Sequence, residues 1–330
     1  MAASLRRRAV FAFAAALCGC GGSGSPTGPP TPGPVPGNPA DAVVFYDENA
    51  NGQLDRNENV RVPDVDLVIG GRTGRTATGG AVTIAGVPSG SYVVTVRTET
   101  LPPFFQIGAP VSVDLPEANG QVASVPLLLP IGRNQQPNLY MAFGDSITRG
   151  DGAPPSSSYP SRLQTLLAAH FGGALVNNRG ADATNTSEAL ERFRRNFEGV
   201  APAYTLILYG TNDWHDPACQ DNPPCYTVDH LRTIVRGVRD GGSLPFIGTL
   251  IPVNPALNGQ GRNDWIDTVN VQIKVMAQQE GAFAVDLNQA YRNQPNLVAL
   301  YDDGVHPNAA GYDVMARGFF EAIAHGRPVP

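Results

Sequence analysis

The sequence contains few charged residues and no excess of basic ones. Charged side chains make up 16% of the 330 residues, and the formal net charge at pH 7 is −6. A protein that binds nucleic acid needs a basic face, so this composition argues against a nucleic-acid partner. Beyond the N-terminus, no run of residues is apolar enough for a transmembrane helix. The length suffices for two hydrophobic cores, which predicts two domains.

Cysteine is also scarce, because the chain has only four. Two belong to the N-terminal targeting segment, and the other two, Cys219 and Cys225, lie close together in a polar stretch. A zinc site at this pair is disfavoured, since there is no second cysteine pair and the only nearby histidine is His215. In an exported protein we expect a local disulfide between Cys219 and Cys225, with two free thiols as the alternative.

The N-terminus has the pattern of a targeting signal. Residues 6–8 are all arginine, and residues 9–17 form an apolar run that is too short to span a bilayer. The run ends in Leu17-Cys18-Gly19-Cys20, which resembles a bacterial lipobox. The resemblance implies that residues 1–19 are a signal peptide and that Cys20 is lipidated, whereas Cys18 would place Leu17 where a small residue is required. The chain is then an exported, membrane-anchored lipoprotein at the cell surface or in the periplasm; an ordinary signal peptide is the alternative.

A Gly- and Pro-rich segment follows at residues 20–40. It contains neither an aromatic nor a charged residue after Cys20, so it cannot bury apolar surface. We therefore expect an extended tether between the lipid anchor and the first domain.

Residues 41–131 have the pattern of an all-β domain. Short runs rich in Val, Ile, Leu and Tyr are separated by clusters of Gly, Pro and Asn, and no segment has a helical period. The runs lie at 43–46, 65–69, 81–84, 91–96 and 122–129. This pattern predicts a small β-sandwich, joined by a hinge at residues 132–136 to a second domain at 137–330.

The second domain alternates strands and helices. Strands are predicted at 139–143, 174–176, 204–209, 245–251 and 282–285, and helices at 159–171, 187–197, 228–239, 266–279 and 309–324. Such alternation predicts an α/β fold with three layers, in which helices flank a parallel sheet. Ligands of these folds lie beyond the carboxyl ends of the strands, so the turns there are the place to look for a site.

Four turns carry reactive residue types. Ser146 follows the first predicted strand, Gly180 the second, Asn212 the third, and Asp303 and His306 precede the last helix. Each piece alone is weak, because Gly-Asp-Ser is a common turn or helix cap and an Asp three residues before a His is often a surface pair. Their occurrence together, each at the expected edge of an element, indicates one site.

These four blocks resemble those of the SGNH (GDSL-like) hydrolases, which have a flavodoxin-like fold. The resemblance extends from residue 138 to about residue 325, although the first block reads Gly-Asp-Ser-Ile. It implies that Ser146 is the nucleophile, that His306 is the general base and that Asp303 orients the imidazole, with Asp302 as the second choice. It also implies an oxyanion hole formed by the N–H groups of Ser146 and Gly180 and the amide of Asn212, and catalysis without a cofactor.

The predicted activity is hydrolysis of carboxylic esters through an acyl-enzyme. An acylated glycan is the substrate we favour, because a surface location and an adhesin-like module suit extracellular polymers; a lipid-like substrate of a lysophospholipase or thioesterase is the alternative. A surface-binding protein with an inactive hydrolase scaffold is a second class of function. The complete set of reactive residues argues against it. Glycoside hydrolysis is discounted, because it requires a pair of catalytic carboxylates and the sequence offers no clear second one.

The all-β domain contains a loop that fits the calcium template D-x-[DN]-x-[DN]-G-x5-E. Hard oxygen ligands alternate along it, and Gly52 permits a sharp turn. With its flanking strands the loop resembles the B-repeat modules of Gram-positive surface adhesins. We expect a structural Ca²⁺ there, with an Asx-rich turn without metal as the alternative. The candidate ligands are Asp47, Asn49, Asn51, Gln53, Asp55 and Glu58.

Three other histidines of the second domain receive no functional assignment from the sequence. His170 ends a predicted helix and is interpreted as a surface or C-cap residue. His230 lies within a helix without an evident partner, and His215 either lines the mouth of the site or belongs to a surface loop.

Overall fold

The computed structural model describes residues 37–118 and 120–327, which belong to one compact unit. The predicted signal peptide, the lipidation site Cys20 and residues 20–36 of the predicted tether lie outside the described residues. None of the described helices is long and apolar enough to cross a membrane.

The N-terminal part consists of strands in three small sheets. In chain order the strands are β1 Asn38–Tyr46, β2 Asp66–Ile69, β3 Arg72–Arg75, β4 Ala81–Val87, β5 Gly90–Val93, β6 Thr95–Val96, β7 Gln106–Ile107, β8 Ser112–Leu115 and β9 Ala123–Leu128. The largest sheet has four strands in the order β4-β1-β9-β7, and the other two sheets have the orders β3-β2-β6 and β5-β8. β1 is antiparallel to β4 and parallel to β9. The predicted β-structure of this part is confirmed, while the sandwich packing and the B-repeat resemblance stay predictions.

β1 shows why these residues form a strand. Ala40, Ala42 and Val44 are buried and alternate with more exposed neighbours, which is the period of two that places one face of a strand on a core. The strand begins at Asn38, inside the segment predicted as a tether, because Asn38 pairs with Val87 and Ala40 has no exposed surface. The tether therefore ends earlier than its sequence predicts.

The C-terminal part alternates strands and helices throughout. In chain order they are β10 Gln136–Gly144, α1 Ser146–Arg149, α2 Tyr159–Phe171, β11 Leu175–Gly180, α3 Thr186–Glu198, β12 Pro202–Leu208, α4 Pro217–Gln220, α5 Thr227–Asp240, β13 Leu244–Gly248, α6 Gln260–Glu280, β14 Phe283–Val285, α7 Leu287–Arg292 and α8 Ala309–His325. Short 3₁₀ turns lie at Thr98–Thr100, Pro155–Ser157, Asp213–His215 and Val298–Leu300.

The five strands of this part form one parallel sheet in the order β11-β10-β12-β13-β14. Every residue of the central strand β12 is buried, as expected for a parallel strand covered on both faces. Leu206 and Leu208 face a core that includes α2 and α8, whereas Ile207 faces the core of α3, α5 and α6. The predicted three-layer α/β fold is confirmed.

The N-terminal strands pack directly on the sheet domain. Phe104 meets Phe246 of β13 edge-on with ring centroids 5.6 Å apart, and side chains of both parts share one apolar core. Residues 132–136, predicted as a hinge, are hydrogen-bonded to the sheet domain. Gly132 N–H donates to the carbonyl of Gly242 over 2.8 Å, and Gln135 Nε2 donates to Gly241 over 2.7 Å.

Candidate active site

The strand order of the parallel sheet defines where a site can form. From β10 the chain goes first to β11 on one side and then to β12 on the other, so the crevice between β10 and β12 is the topological switch point. Ser146 comes immediately after β10, Gly180 ends β11, and Asn212 follows β12. Gly144, the last residue of β10, is aligned with Gly180, so the predicted blocks begin at the same edge of the sheet.

Ser146 is the first residue of the short helix α1. Asp145 caps this helix, and its Oδ1 accepts the N–H of Ile147 over 2.9 Å. The first N–H of a helix has no intrahelical acceptor, so the N–H of Ser146 can donate to a ligand. Ser146 is only 5% exposed, and it lies two residues beyond the end of β10.

The structure brings Ser146, His306 and Asp303 together. Ser146 Oγ lies 3.0 Å from His306 Nε2, and His306 Nδ1 lies 2.8 Å from Asp303 Oδ2. Asp302, the second choice for the acid, contacts His306 only through a backbone bond from its own N–H to the His306 carbonyl, 2.9 Å long. The carboxylate that faces the imidazole is therefore that of Asp303.

Hydrogen bonds keep the Asp303 carboxylate charged. Partial burial acts to raise its pKa, but the His306 ring and the N–H groups of His306 and Val305 donate to it and lower the pKa below its usual value. A charged Asp303 accepts the Nδ1 proton of the neutral imidazole. This tautomer leaves a lone pair on Nε2 directed at Ser146 Oγ, which is the state a general base requires.

Two asparagines fasten the loop that carries Asp303 and His306. Asn254 Nδ2 donates to the Asp303 carbonyl over 3.1 Å, and Asn258 Nδ2 donates to the Gly304 carbonyl over 2.6 Å. The Asn254 N–H also donates to Gly304 over 2.9 Å. Sequence reasoning missed both residues, because an Asn-Pro-containing loop is ordinary turn chemistry.

The two remaining oxyanion candidates already have hydrogen-bond partners. Asn212 Nδ2 donates to the Thr184 carbonyl over 3.0 Å, but a primary amide has two hydrogens and keeps one for a ligand. The Gly180 N–H donates to Asn178 Oδ1 over 2.9 Å. A Cβ at Gly180 would clash with the backbone nitrogen of Arg149. Glycine is thus required here by the close approach of α1, and not by approach to a substrate alone.

Two carboxyl groups that the sequence did not single out lie buried beneath the site. Burial raises the pKa of Asp145 to about 7, with a smaller contribution in the same direction from Asp213, against the opposing effect of Ile147 N–H and His306. Burial also raises the pKa of Asp213, although Thr186 and Thr227 donate three hydrogen bonds to it. Both groups follow strands in plain turns, which gave no signal of their burial.

The structure joins Cys219 and Cys225 through a disulfide with a Cα–Cα distance of 5.0 Å. Trp265 of α6 donates its indole N–H to the Cys219 carbonyl over 2.8 Å, and Trp214 meets Trp265 edge-on at 5.8 Å. The disulfide loop is therefore held against α6, close in sequence to Asn212. His215 is exposed in this region.

The candidate calcium loop begins where β1 ends. Asp47 and Glu58 are buried, and each carboxylate accepts two backbone N–H groups of the loop. Asn49 and Asn51 donate their side-chain amides to Asp55 Oδ2 over 2.8 and 2.9 Å, and Gln53 N–H donates to the Asn51 side chain. Among the described residues, no three acidic side chains of this loop have ligand atoms that all lie within 4.8 Å of one another.

The parallel sheet, with a serine, a histidine and an aspartate in contact at its carboxyl edge, defines an α/β hydrolytic enzyme of the esterase or acylhydrolase class. Residues 142–314, more than half of the chain, match the GDSL-like lipase/acylhydrolase family, and the chain belongs to that family. A comparison with curated proteins gave no match.

Several solved structures match more than half of the chain. LAE5, an α/β hydrolase from the metagenome of Lake Arreo, is 22% identical over 57% of this chain and 96% of its own, with a TM-score of 0.49. A lipase/acylhydrolase from Enterococcus faecalis is 20% identical over 57% and 95%, with a TM-score of 0.49. Axe2, an acetylxylan esterase from Geobacillus stearothermophilus, is 22% identical over 58% and 95%, with a TM-score of 0.47. These similarities do not define the substrate of this chain.

Proposed function

We propose that this protein hydrolyses carboxylic esters through an acyl-enzyme formed on Ser146. The observation that carries the proposal is the continuous contact from Ser146 Oγ to His306 Nε2, 3.0 Å, and from His306 Nδ1 to Asp303 Oδ2, 2.8 Å. A serine hydroxyl is a weak nucleophile until an adjacent base removes its proton, and this arrangement supplies that base.

The reaction proceeds in two halves on these groups. His306 Nε2 takes the Ser146 hydroxyl proton as Oγ bonds to the ester carbonyl carbon, and Asp303 stabilises the imidazolium. The tetrahedral intermediate then expels the alcohol, which leaves with the proton from His306. In the second half, His306 removes a proton from water as the water oxygen bonds to the acyl carbon. The bond between the acyl carbon and Ser146 Oγ then breaks, Oγ takes the proton back from His306, and the carboxylic acid leaves.

The oxyanion of each intermediate requires donors that are already in position. The Ser146 N–H at the start of α1 and the second amide hydrogen of Asn212 meet this need. The Gly180 N–H contributes when its bond to Asn178 is shared with or yielded to the oxyanion, since that bond is 2.9 Å long in the present state.

A fluorophosphonate probe tests the nucleophile directly. Wild-type protein is expected to form one covalent adduct on Ser146, located by mass spectrometry of the peptides, and the variants Ser146→Ala and His306→Ala are expected to lose labelling and turnover. Ser187→Ala, at an exposed serine, is the matched control that keeps both. A folded wild-type protein without an adduct would support the alternative of a surface-binding protein with an inactive scaffold.

For the substrate we propose a short acyl ester on a hydrophilic partner such as an acylated glycan. The rim of the site beside Ser146 is charged, because Arg149 pairs with Asp151 and Asp182 and all three side chains are at least partly exposed. A long acyl chain has little to gain from such a rim, whereas a polar glycan can exchange hydrogen bonds with it.

A substrate panel decides between the candidate ester classes. Acetylated glycans and p-nitrophenyl esters of increasing acyl length are compared by kcat/KM at matched conditions. Highest activity on acetyl esters with release of acetate from the glycans supports deacetylation, and a rise in kcat/KM with acyl length, or activity on lysophospholipids or thioesters, supports the lipid-like alternative.

We further propose that the protein is exported and anchored by a lipid on Cys20. The support is the arginine-apolar-lipobox order of residues 6–20, and a disulfide between Cys219 and Cys225 suits an oxidising compartment. Metabolic labelling with a fatty acid in a bacterial host is expected to mark the wild type and Cys18→Ala but not Cys20→Ala. Label that survives Cys20→Ala would contradict the assignment.

A structural Ca²⁺ in the loop from Asp47 to Glu58 is proposed as well, with no role in the chemistry. The ligand order of the loop and the burial of both end carboxylates support it.

A further inference from the structure

Two histidines and an aspartate that are far apart in sequence meet where the N-terminal strands contact the helices. Asp64 lies in the segment between β1 and β2, His170 near the end of α2, and His325 at the end of α8. One ligand atom from each of them lies within 4.8 Å of the other two, and among the described residues no other group of three or more His, Cys, Asp or Glu does this.

His170 Nε2 is the unusual atom of this cluster. It is buried and has no hydrogen-bond partner, although a buried nitrogen without a partner is costly and rare in folded proteins. The ring lies against Phe171, Phe320 and His325, with centroids 4.6, 5.3 and 5.4 Å away. A metal ion placed between His170 and His325 would give this nitrogen a partner by accepting its lone pair.

The other two members are held as metal ligands are held. His325 Nδ1 contacts Glu321 Oε2 at 2.9 Å, and Asp64 Oδ1 is paired with Arg75 at 3.2 Å. The remaining atoms, His325 Nε2 and Asp64 Oδ2, contact each other at 3.3 Å, so a bound ion would replace the proton between them. A carboxylate behind a coordinating imidazole and a hydrogen-bonded carboxylate ligand are the usual outer partners of a metal site.

The distances fit a small tetrahedral ion. Bonds of about 2.0–2.1 Å to nitrogen and oxygen place tetrahedral ligand atoms roughly 3.3–3.4 Å apart, and His325 Nε2 lies 3.3 Å from Asp64 Oδ2. The ligand atom of His170 lies within 4.8 Å of both, so metal binding requires it to move closer to them. Two imidazoles and one carboxylate favour Zn²⁺ and similar transition metals over Ca²⁺ or Mg²⁺, and the fourth position remains for water.

We propose that Asp64, His170 and His325 bind a divalent transition-metal ion, with Zn²⁺ as the fitting case, and that the ion fastens the N-terminal strands to helices α2 and α8. His325 and Asp64 keep 16% and 39% of their side-chain surface exposed, so an ion can enter from solvent. The site does not contain Ser146 or His306, and its role is structural coupling of the two parts of the chain.

Titration of the full chain, without an affinity tag and after treatment with a chelator, tests the proposal. Isothermal titration with ZnCl₂ is expected to show about one equivalent bound at micromolar affinity or tighter, and the melting temperature is expected to rise by about 5 °C at 100 times Kd. Co²⁺ bound in place of Zn²⁺ is expected to give the visible absorption of a tetrahedral complex.

Variants locate the bound ion. His170→Gln and His325→Gln each keep a side chain of similar size and are expected to weaken Zn²⁺ binding at least tenfold, and Glu321→Gln about tenfold. His215→Ala and His306→Ala remove a histidine elsewhere and are expected to bind as the wild type does, which separates this cluster from the catalytic histidine. Absence of Zn²⁺ binding by the folded wild type, or wild-type affinity in both His170→Gln and His325→Gln, would overturn the proposal.

Discussion

The substitution Asp145→Asn should change how stability depends on pH. Asp145 is only 1% exposed, and burial raises its pKa from 3.8 to about 7. The folded protein therefore binds this proton more tightly than the unfolded chain does, and the free energy of unfolding falls as pH rises between those two values. At 1.36 kcal/mol per pKa unit the complete loss is about 4 kcal/mol.

Most of this decrease in the free energy of unfolding occurs between pH 5 and pH 8. The pKa values of the folded and unfolded states assign about 3 kcal/mol of it to that interval. Asparagine keeps the oxygen that accepts the Ile147 N–H and cannot ionise, so the variant is expected to lack this part of the pH dependence. An amide hydrogen without an acceptor costs about 1–3 kcal/mol, but equally at both pH values. The free energy of unfolding of Asp145→Asn, measured relative to that of the wild type, should therefore be about 3 kcal/mol more favourable to folding at pH 8 than at pH 5.

Urea unfolding followed by circular dichroism at pH 5 and pH 8 measures this difference. Asp221→Asn makes the same chemical change at an exposed position and should follow the wild type at both pH values. Equal losses of stability in the wild type and Asp145→Asn would show that the carboxyl beside Ser146 is not held neutral by its surroundings, and the reasoning would be refuted.

Three further outcomes are expected. Asn212→Ala should lower kcat by about 10²–10³ with cooperative unfolding retained, because one oxyanion donor is removed; unchanged kcat would exclude Asn212 from the site. Ca²⁺ added to chelator-treated protein should raise the melting temperature of the wild type but not of Glu58→Gln, and ester turnover should be the same with and without it. Phe246→Ala should cost about 3–5 kcal/mol in urea unfolding, since this fully buried ring packs on Phe104, Tyr204 and Phe283. Val271→Ala removes methyl groups from an exposed side chain and is the control, with a small expected effect.

The elements of the sheet domain could be predicted because their patterns are local. The helix expected at residues 228–239 is α5, Thr227–Asp240, and the strand expected at 204–209 overlaps β12, Pro202–Leu208. Each has a hydrophobic period or an apolar run that its own residues supply. The edges differ by a few residues, since tertiary packing decides where an element ends.

The environment of the site could not be predicted, because it joins residues that no local pattern relates. Asp213 receives hydrogen bonds from Thr186 and Thr227, and Thr186 in turn contacts His230 Nδ1 at 3.0 Å. His170 does lie in the last turn of α2, as the sequence predicts, but it is partly buried because Phe320 and His325 of the distant helix α8 pack against it. Such contacts arise only when the chain folds.

The division of the triad between two supports has a mechanical consequence. Ser146 is attached to the end of the central sheet, while Asp303 and His306 share one loop that Asn254 and Asn258 hold from outside. Acid and base therefore travel as a pair if that loop moves, and their mutual distance is preserved. Any event that shifts Asn254 or Asn258 would change the gap between hydroxyl and imidazole alone, so catalysis could be tuned by displacement of a loop without altering the protonation of the pair.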